Sequence, residues 1–212
     1  PDGVVLWTRL APDPLADGGM PPGMDVVVRW QMARDVSMTD LVADGATQTG
    51  PSVAHSLHID VTGLEPDTTY FYRFTTGGQS SPVGRTRTAP AADAPVDHVR
   101  LAVATCQNYT HGHYHAWSQV VADQPDLVVF LGDYIYEGGF TSSGVRNHNS
   151  PEVVSLSDYR NRHALYRSDP RLQEAHRVAP WVLTWDDHEV ENNHAGLIPQ
   201  DRADDPIFVE RR

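Results

Sequence analysis

The sequence predicts two domains: an all-β sandwich over residues 1–90 and, after a linker at 91–97, an α/β unit over 98–212 holding the first part of a larger parallel sheet, truncated at its end. Three observations carry this reading. Short β-branched and aromatic runs separated by turn signals fill residues 1–88. The stretch 89–97 is rich in Ala, Pro and Asp and has no periodicity, as expected of a linker. Beyond it, continuous apolar runs alternate with helical patterns, and each run ends in side chains that bind metals or move protons.

In the first domain, Val4-Val5-Leu6-Trp7-Thr8-Arg9-Leu10 and Asp25-Val26-Val27-Val28-Arg29-Trp30 read as strands. Between them lies a Pro/Gly-rich stretch at 12–23 that no helix tolerates, and a hairpin-like connection follows the second strand. His58-Ile59-Asp60-Val61 is a third strand. In the fourth, Tyr70, Tyr72 and Phe74 share one face, while Phe71 and Arg73 share the other. The preceding Leu64-Glu65-Pro66-Asp67-Thr68-Thr69-Tyr70 resembles the tyrosine corner of fibronectin type III domains, which implies a structural hydrogen bond between the Tyr70 hydroxyl and the backbone.

In the second domain, Val99-Arg100-Leu101-Ala102-Val103-Ala104 reads as a buried strand, 113–122 as a helix and Asp126-Leu127-Val128-Val129-Phe130-Leu131 as a second strand, together a β-α-β unit. A polar loop at 138–151 leads to a helical stretch from Leu156 to about His176, N-capped at Ser155 and interrupted or restarted at Pro170. Trp181-Val182-Leu183-Thr184-Trp185 is a third buried strand. In an open parallel sheet such strands point their C-terminal ends into one crevice.

Composition narrows the function classes. With 28 Asp and Glu against 16 Lys and Arg, the net charge of -12 repels phosphate backbones, so a nucleic-acid-binding role is set aside except as substrate. An acidic protein acting on phosphate esters needs a local source of positive charge, and metal ions supply one. There is no run of about 18 apolar residues to span a membrane, and the opening Pro1-Asp2-Gly3 is not a signal peptide. The single cysteine, Cys106, leaves the redox compartment unread from pairing.

The three strand ends carry the chemistry. Asp133 and Tyr136 form a Gly-Asp-x-x-Tyr motif, in which a carboxylate bridges two metals while a phenolate prefers a hard Lewis acid such as ferric iron; the bland alternative is a loop-capping Asp and a core Tyr. Cys106 is either a small buried hydrophobe or, as a thiolate at a strand end, a metal ligand. Asp186-Asp187-His188-Glu189 crowds three carboxylates around a histidine, a costly arrangement unless a cation or proton relieves it. His111, His113 and His115 alternate in a way that points them apart on a helix, which favours a surface or capping role. Arg160, Arg162 and Arg167 either hold phosphate oxygens or, more commonly, pair with Asp158, Asp169 and Glu174.

Val103-Ala104-Thr105-Cys106-Gln107, Leu131-Gly132-Asp133-Tyr134-Ile135-Tyr136-Glu137, Tyr159-Arg160-Asn161-Arg162-His163-Ala164-Leu165-Tyr166 and Trp185-Asp186-Asp187-His188-Glu189-Val190-Glu191-Asn192-Asn193 together resemble the signature blocks of PhoD-type alkaline phosphatases, a family within the metallophosphoesterases. Only the N-terminal part of such an enzyme is matched. The resemblance implies hydrolysis of phosphate mono- and diesters by a metal-activated hydroxide at an iron and calcium site. It implies that Cys106, Asp133 and Tyr136 bind Fe3+, that Asp133 also touches Ca2+, and that Asp187 and one of Asn192 and Asn193, preferentially Asn193, complete calcium binding. His188 matches the histidine that approaches the scissile ester. Export to the extracellular or periplasmic space by a twin-arginine leader is implied as well. The chain stops before the family's C-terminal ligands, so it is expected to be inactive by itself. The competing reading is a non-catalytic fragment or degenerate homologue that acts as a binding module.

Overall fold

The structure, a computed structural model, describes residues 1–15, 20, 23–200 and 205–211. Half of the Pro/Gly-rich stretch singled out above, residues 16–19 and 21–22, lies outside the described residues. The chain forms two compact units. One comprises Pro1–Arg100 with Gln124–Asp126 and His176–Pro180, the other Leu101–Asp123, Leu127–Ala175 and Trp181–Arg212.

The first unit is all-β. Strands β1 (Gly3–Arg9) and β4 (Ser56–Thr62) pair antiparallel as one sheet. The second sheet has the order β3 (Leu41–Thr49), β2 (Val26–Ala33), β5 (Thr69–Thr76), with β6 (Gln79–Ser80) and β7 (Gly84–Arg87) both pairing with β5. Alternation puts every second side chain of these strands inward, and both sheets feed one core. Leu6 of β1 and Leu57 and Val61 of β4 meet Val28 and Met32 of β2 and Tyr70 and Phe74 of β5. Tyr72 packs against the same cluster and lies edge-on to Phe74, with ring centroids 5.9 Å apart.

Two strands carry no strong sequence signal. The hairpin-like connection expected after β2 contains β3, an edge strand of mixed character, LVADGATQT, reached by a turn in which the Asp35 carboxylate accepts from the backbone N–H groups of Thr39 (2.9 Å) and Asp40 (2.7 Å). Gly45 in β3 gives room to the Trp30 indole, since a Cβ there would stand 2.8 Å from its ring nitrogen. β7, GRTR, has no apolar residue at all.

The second unit is α/β. β8 (Leu101–Ala104), β9 (Leu127–Phe130) and β10 (Trp181–Leu183) run parallel in the order β10-β9-β8, with Ala104 and Leu183 both opposite Phe130. Helix α1 (Ala116–Asp123) connects β8 to β9, starting three residues later than the sequence suggests, after a 3-10 turn at Tyr109–His111. Val128 and Phe130 are fully buried, and Phe130 stacks with Trp117 of α1 and with Trp181. On the other face Leu101, Val103 and Val182 are exposed.

The helical stretch after the polar loop is two helices. α2 (Leu156–Arg167) opens on a capping box in which the Ser155 hydroxyl accepts from the Asp158 N–H and the Asp158 carboxylate accepts from the Ser155 N–H. α3 (Pro170–Val178) starts at Pro170, whose missing N–H costs nothing in a first turn. α4 (Pro206–Arg211) ends the described chain.

In the first unit, the buried Tyr70 hydroxyl accepts the Glu65 N–H at 2.9 Å, the hydroxyl-to-backbone bond that the Leu-x-Pro-x-Thr-x-Tyr run predicts. Tyr70→Phe leaves the ring in the core and removes only this bond. It is expected to lower unfolding stability by about 1 kcal/mol, read from the urea midpoint of the full-length protein at unchanged slope.

Candidate metal centre

The parallel register sets the three strand ends side by side, and the chain then continues the ladder irregularly. The Thr184 N–H donates to Phe130 O (3.0 Å), Leu131 N–H to Ala104 O (2.9 Å) and Cys106 N–H to Gly132 O (3.2 Å). Gly132, at φ +97, lets the segment leaving β9 pass directly against the one leaving β10. A Cβ there would stand 2.5 Å from the Asp186 nitrogen, a distance that no side chain accommodates.

Asp133 is the hub. It is buried, and its Oδ2 accepts from the Cys106 thiol at 3.3 Å and from the Tyr136 hydroxyl at 3.1 Å. Its Oδ1 accepts the His188 N–H at 3.3 Å. The three ferric ligands expected from sequence are thus brought together around one carboxylate. Cys106 is exposed within these residues. Asp133, Asp187 and His188 also converge, each offering a ligand atom within 4.8 Å of the others.

Asp187 accepts the His188 N–H (3.0 Å) and the Asn193 N–H. Partial burial opposes its ionisation, but those N–H groups and the neighbouring His188 outweigh it and hold the carboxyl below the ordinary range. Asn193 reaches Asp187 through its backbone; its side-chain amide donates to Gln200 Oε1 at 3.2 Å. Asn192 uses its N–H on Glu137 Oε1 (2.9 Å) and its amide on the same Gln200 oxygen (2.6 Å). Cys106, Asp133 and Asn193 all have φ between +56 and +59. Non-glycine residues are uncommon there, and each such position costs about 1–3 kcal/mol.

The phenol of Tyr136 is pushed well above its ordinary range, first by burial and then by the Asp133 carboxylate and Cys106. The protein by itself therefore keeps this group protonated. A cation beside it would oppose that shift, and a cluster of carboxylates, thiol and phenol around one point favours one.

Three residues matter that sequence reasoning did not assign. Glu189, buried, accepts N–H groups from Asp133 (3.0 Å), Tyr134 (2.5 Å) and Asp186 (2.8 Å), so it clamps the β9 and β10 ends and is not a free member of the acidic cluster. Glu137, also buried, holds the ring of His188. Arg162 is fully buried but does not pair with an acid: it donates to the carbonyls of Tyr136, Gly138 (2.8 Å) and Pro151 (3.0 Å), and so fastens the loop that carries Tyr136. Only the placement of these residues inside or beside motif blocks hinted at them. His111, His113 and His115 are exposed, and His113 and His115 precede α1 instead of lying on it.

Comparison with known proteins adds a family. The model of the PhoD-like phosphatase family matches residues 101–212, and that of the PhoD-like phosphatase N-terminal domain matches residues 1–90. The chain is 51% identical over 216 residues to alkaline phosphatase D of Bacillus subtilis (strain 168), covering all of this chain and 37% of that relative. Over 125 residues, 56% of this chain and 23% of the relative, it is 27% identical to purple acid phosphatase 15 of Arabidopsis thaliana. A solved structure of PhoD superposes with a TM-score of 0.94 at 51% identity, over 99% of this chain and 41% of that one. A purple acid phosphatase from yellow lupin seeds superposes with a TM-score of 0.54 at 12% identity over 90% of this chain and 34% of that one, a likeness of fold alone. The chain thus spans about two fifths or less of the length of these relatives.

The clamp can be tested directly. Glu189→Gln keeps the size of the side chain but replaces one acceptor oxygen with a donor that faces backbone N–H groups. Stability of the full-length protein is expected to fall by about 2–3 kcal/mol, measured by urea unfolding in the presence of chelator so that metal loss does not contribute.

Proposed function

The chain belongs to the PhoD-like phosphatase family, and from that premise we propose that it forms part of an alkaline-phosphatase-type enzyme that hydrolyses phosphate mono- and diesters with the help of iron and calcium. The observation that carries this is the gathering of Cys106, Tyr136 and His188 on the single carboxylate of Asp133.

The donor set fits such metals. Phenolate and carboxylate suit a hard, highly charged ion, thiolate is a softer donor that iron also accepts, and Cys106, Asp133 and Tyr136 would hold Fe3+. Asp133 and Asp187, with Asn193 supplying its amide oxygen, since its bond to Gln200 uses the amide N–H, would hold Ca2+, which takes 6–8 oxygen ligands. When bound, the cations supply Lewis acidity that activates water and neutralises phosphoryl charge. Among the described residues fewer protein donors are gathered than two cations require, so residues 1–212 alone are expected to turn over little substrate.

The residues of the chain do the rest. Glu137 occupies Nδ1 of His188 at 2.8 Å, which leaves Nε2 to meet the substrate. Without cations, burial opposes the imidazolium, but the Glu137 carboxylate, then Asp133 and Asp187, outweigh it and raise the pKa of His188; cations on Asp133 and Asp187 would offset their share and leave Glu137 as its support. A protonated Nε2 can then donate to the departing ester oxygen. The alternative of a non-catalytic binding module gives no reason for a thiol, a phenol and a histidine backbone N–H to meet on one buried carboxylate.

We assign residues 1–90 to a fibronectin-III-like sandwich, 91–97 to a linker and 98–212 to the first part of the catalytic domain, supported by the family-model limits and the Tyr70–Glu65 bond. Export to the extracellular or periplasmic space rests on the family resemblance. Among the described residues no helix is long and apolar enough to cross a membrane.

Elemental analysis of the purified full-length protein by inductively coupled plasma tests the proposal: stoichiometric iron and calcium are expected, and their absence would return the chain to the class of binding modules. Cys106→Ser is expected to lower iron content and activity together, because an alcohol is a poor substitute for a thiolate. In the same protein, Tyr136→Phe is expected to abolish the visible tyrosinate-to-iron absorption band while the far-ultraviolet circular dichroism is unchanged. A colourless parent enzyme would count against iron at that position.

A further inference from the structure

We infer that Glu137 is a positioning residue which fixes the imidazole of His188 in one tautomer and one orientation. The inference rests on the assignment of His188 to the leaving oxygen made above. Glu137 is buried, and each of its oxygens has its own donor: Oε2 lies 2.8 Å from His188 Nδ1, and Oε1 accepts the Asn192 N–H at 2.9 Å. Asn192 belongs to the segment that returns onto Asp187 through the Asn193 N–H, so the carboxylate is anchored at both ends. An ionised carboxylate only accepts, so Nδ1 must carry a proton and Nε2 is the nitrogen presented outward.

The rest of the ring's surroundings agree. The His188 ring lies over Tyr136 with centroids 4.0 Å apart, and its own backbone N–H is held by Asp133 and Asp187. Glu137 stands outside the donor group of Asp133, Asp187 and His188, with both oxygens already engaged by protein hydrogens. Its place in the chain, immediately after Tyr136, means that the loop that delivers the phenol also delivers the group that aims the imidazole. Partners of this kind, one step behind the reacting group, typically carry a 10- to 100-fold effect.

The test uses the full-length protein carrying Glu137→Gln, Glu137→Ala, His188→Asn or both Glu137→Ala and His188→Asn, with two substrates that differ in leaving group. Phenyl phosphate needs help at its leaving oxygen, and 2,4-dinitrophenyl phosphate does not. Glutamine is informative because its single carbonyl cannot accept from both Asn192 and His188. Each Glu137 variant is expected to lower kcat for phenyl phosphate by about 10- to 100-fold, to lower it far less for 2,4-dinitrophenyl phosphate, and to leave iron and calcium content unchanged. The double variant should be no slower than His188→Asn within about twofold. In the metal-free protein with 15N-labelled histidine, at a pH high enough for the ring to be neutral, His188 should change from a single Nδ1–H tautomer to a mixture.

Equal losses on the two substrates, additivity with His188→Asn, loss of metal in step with activity, or an unchanged tautomer would each overturn the inference. Full turnover of phenyl phosphate by His188→Asn would instead overturn the assignment of His188 itself, and the tautomer spectra would still report whether Glu137 fixes the ring.

Discussion

The carboxylate of Glu189, accepting backbone N–H groups from both the Asp133 and the Asp186 segments, is the constraint on which the centre depends. A parallel sheet delivers strand ends to one edge but does not fix the loops that leave them. The β9 and β10 exits are pressed together at Gly132, where no side chain would fit, and the clamp satisfies the N–H groups that this irregular backbone strands. Asp133 acquires its left-handed conformation between these two restraints, so its carboxylate points at Cys106 and Tyr136 and away from solvent.

The same architecture separates two kinds of acid. Glu189 and Glu137 spend their charge on backbone N–H groups and on His188, while Asp133 and Asp187 are held at close range with other acceptors and acidic groups. Hydrogen bonds from the protein offset the first kind. The second kind is offset only in part, and after burial the Asp133 carboxylate is the next cause that pushes the Tyr136 phenol up. Folding energy from the aromatic stack of Trp117, Phe130 and Trp181 and from the Arg162 staple keeps this unfavourable arrangement in place.

How much of this the sequence reveals depends on whether a residue acts through its own type or through its neighbours. Apolar runs marked β8, β9 and β10, although only β9 is buried as expected and β8 and β10 leave Leu101, Val103 and Val182 exposed, and Ser155 and Pro170 marked the two helix starts through their own chemistry. Strands β3 and β7 were not legible, because an edge strand and a GRTR run derive their pairing from β2 and β5 and not from hydrophobicity. Within the centre, Cys106, Asp133 and Tyr136 were legible as donor types at strand ends. Arg162 and Glu189 were not, since an arginine that serves carbonyls and a glutamate that serves amides look like any charged residue on a helix or in an acidic turn.

The Glu189 clamp joins residues 56 positions apart in the chain, and the His188–Glu137 pair joins residues 51 apart. Closing such loops is entropically slow compared with forming α1, α2 or the hairpin of β2 and β3, whose contacts are near in sequence. The centre shares this cost with the pairing of β1 and β4, and it can be complete only once β10 has docked on β9, because His188 and Glu189 follow that strand. Cation uptake during refolding would then serve as a clock for completion, lagging behind the recovery of helical signal by the time that this one docking step requires.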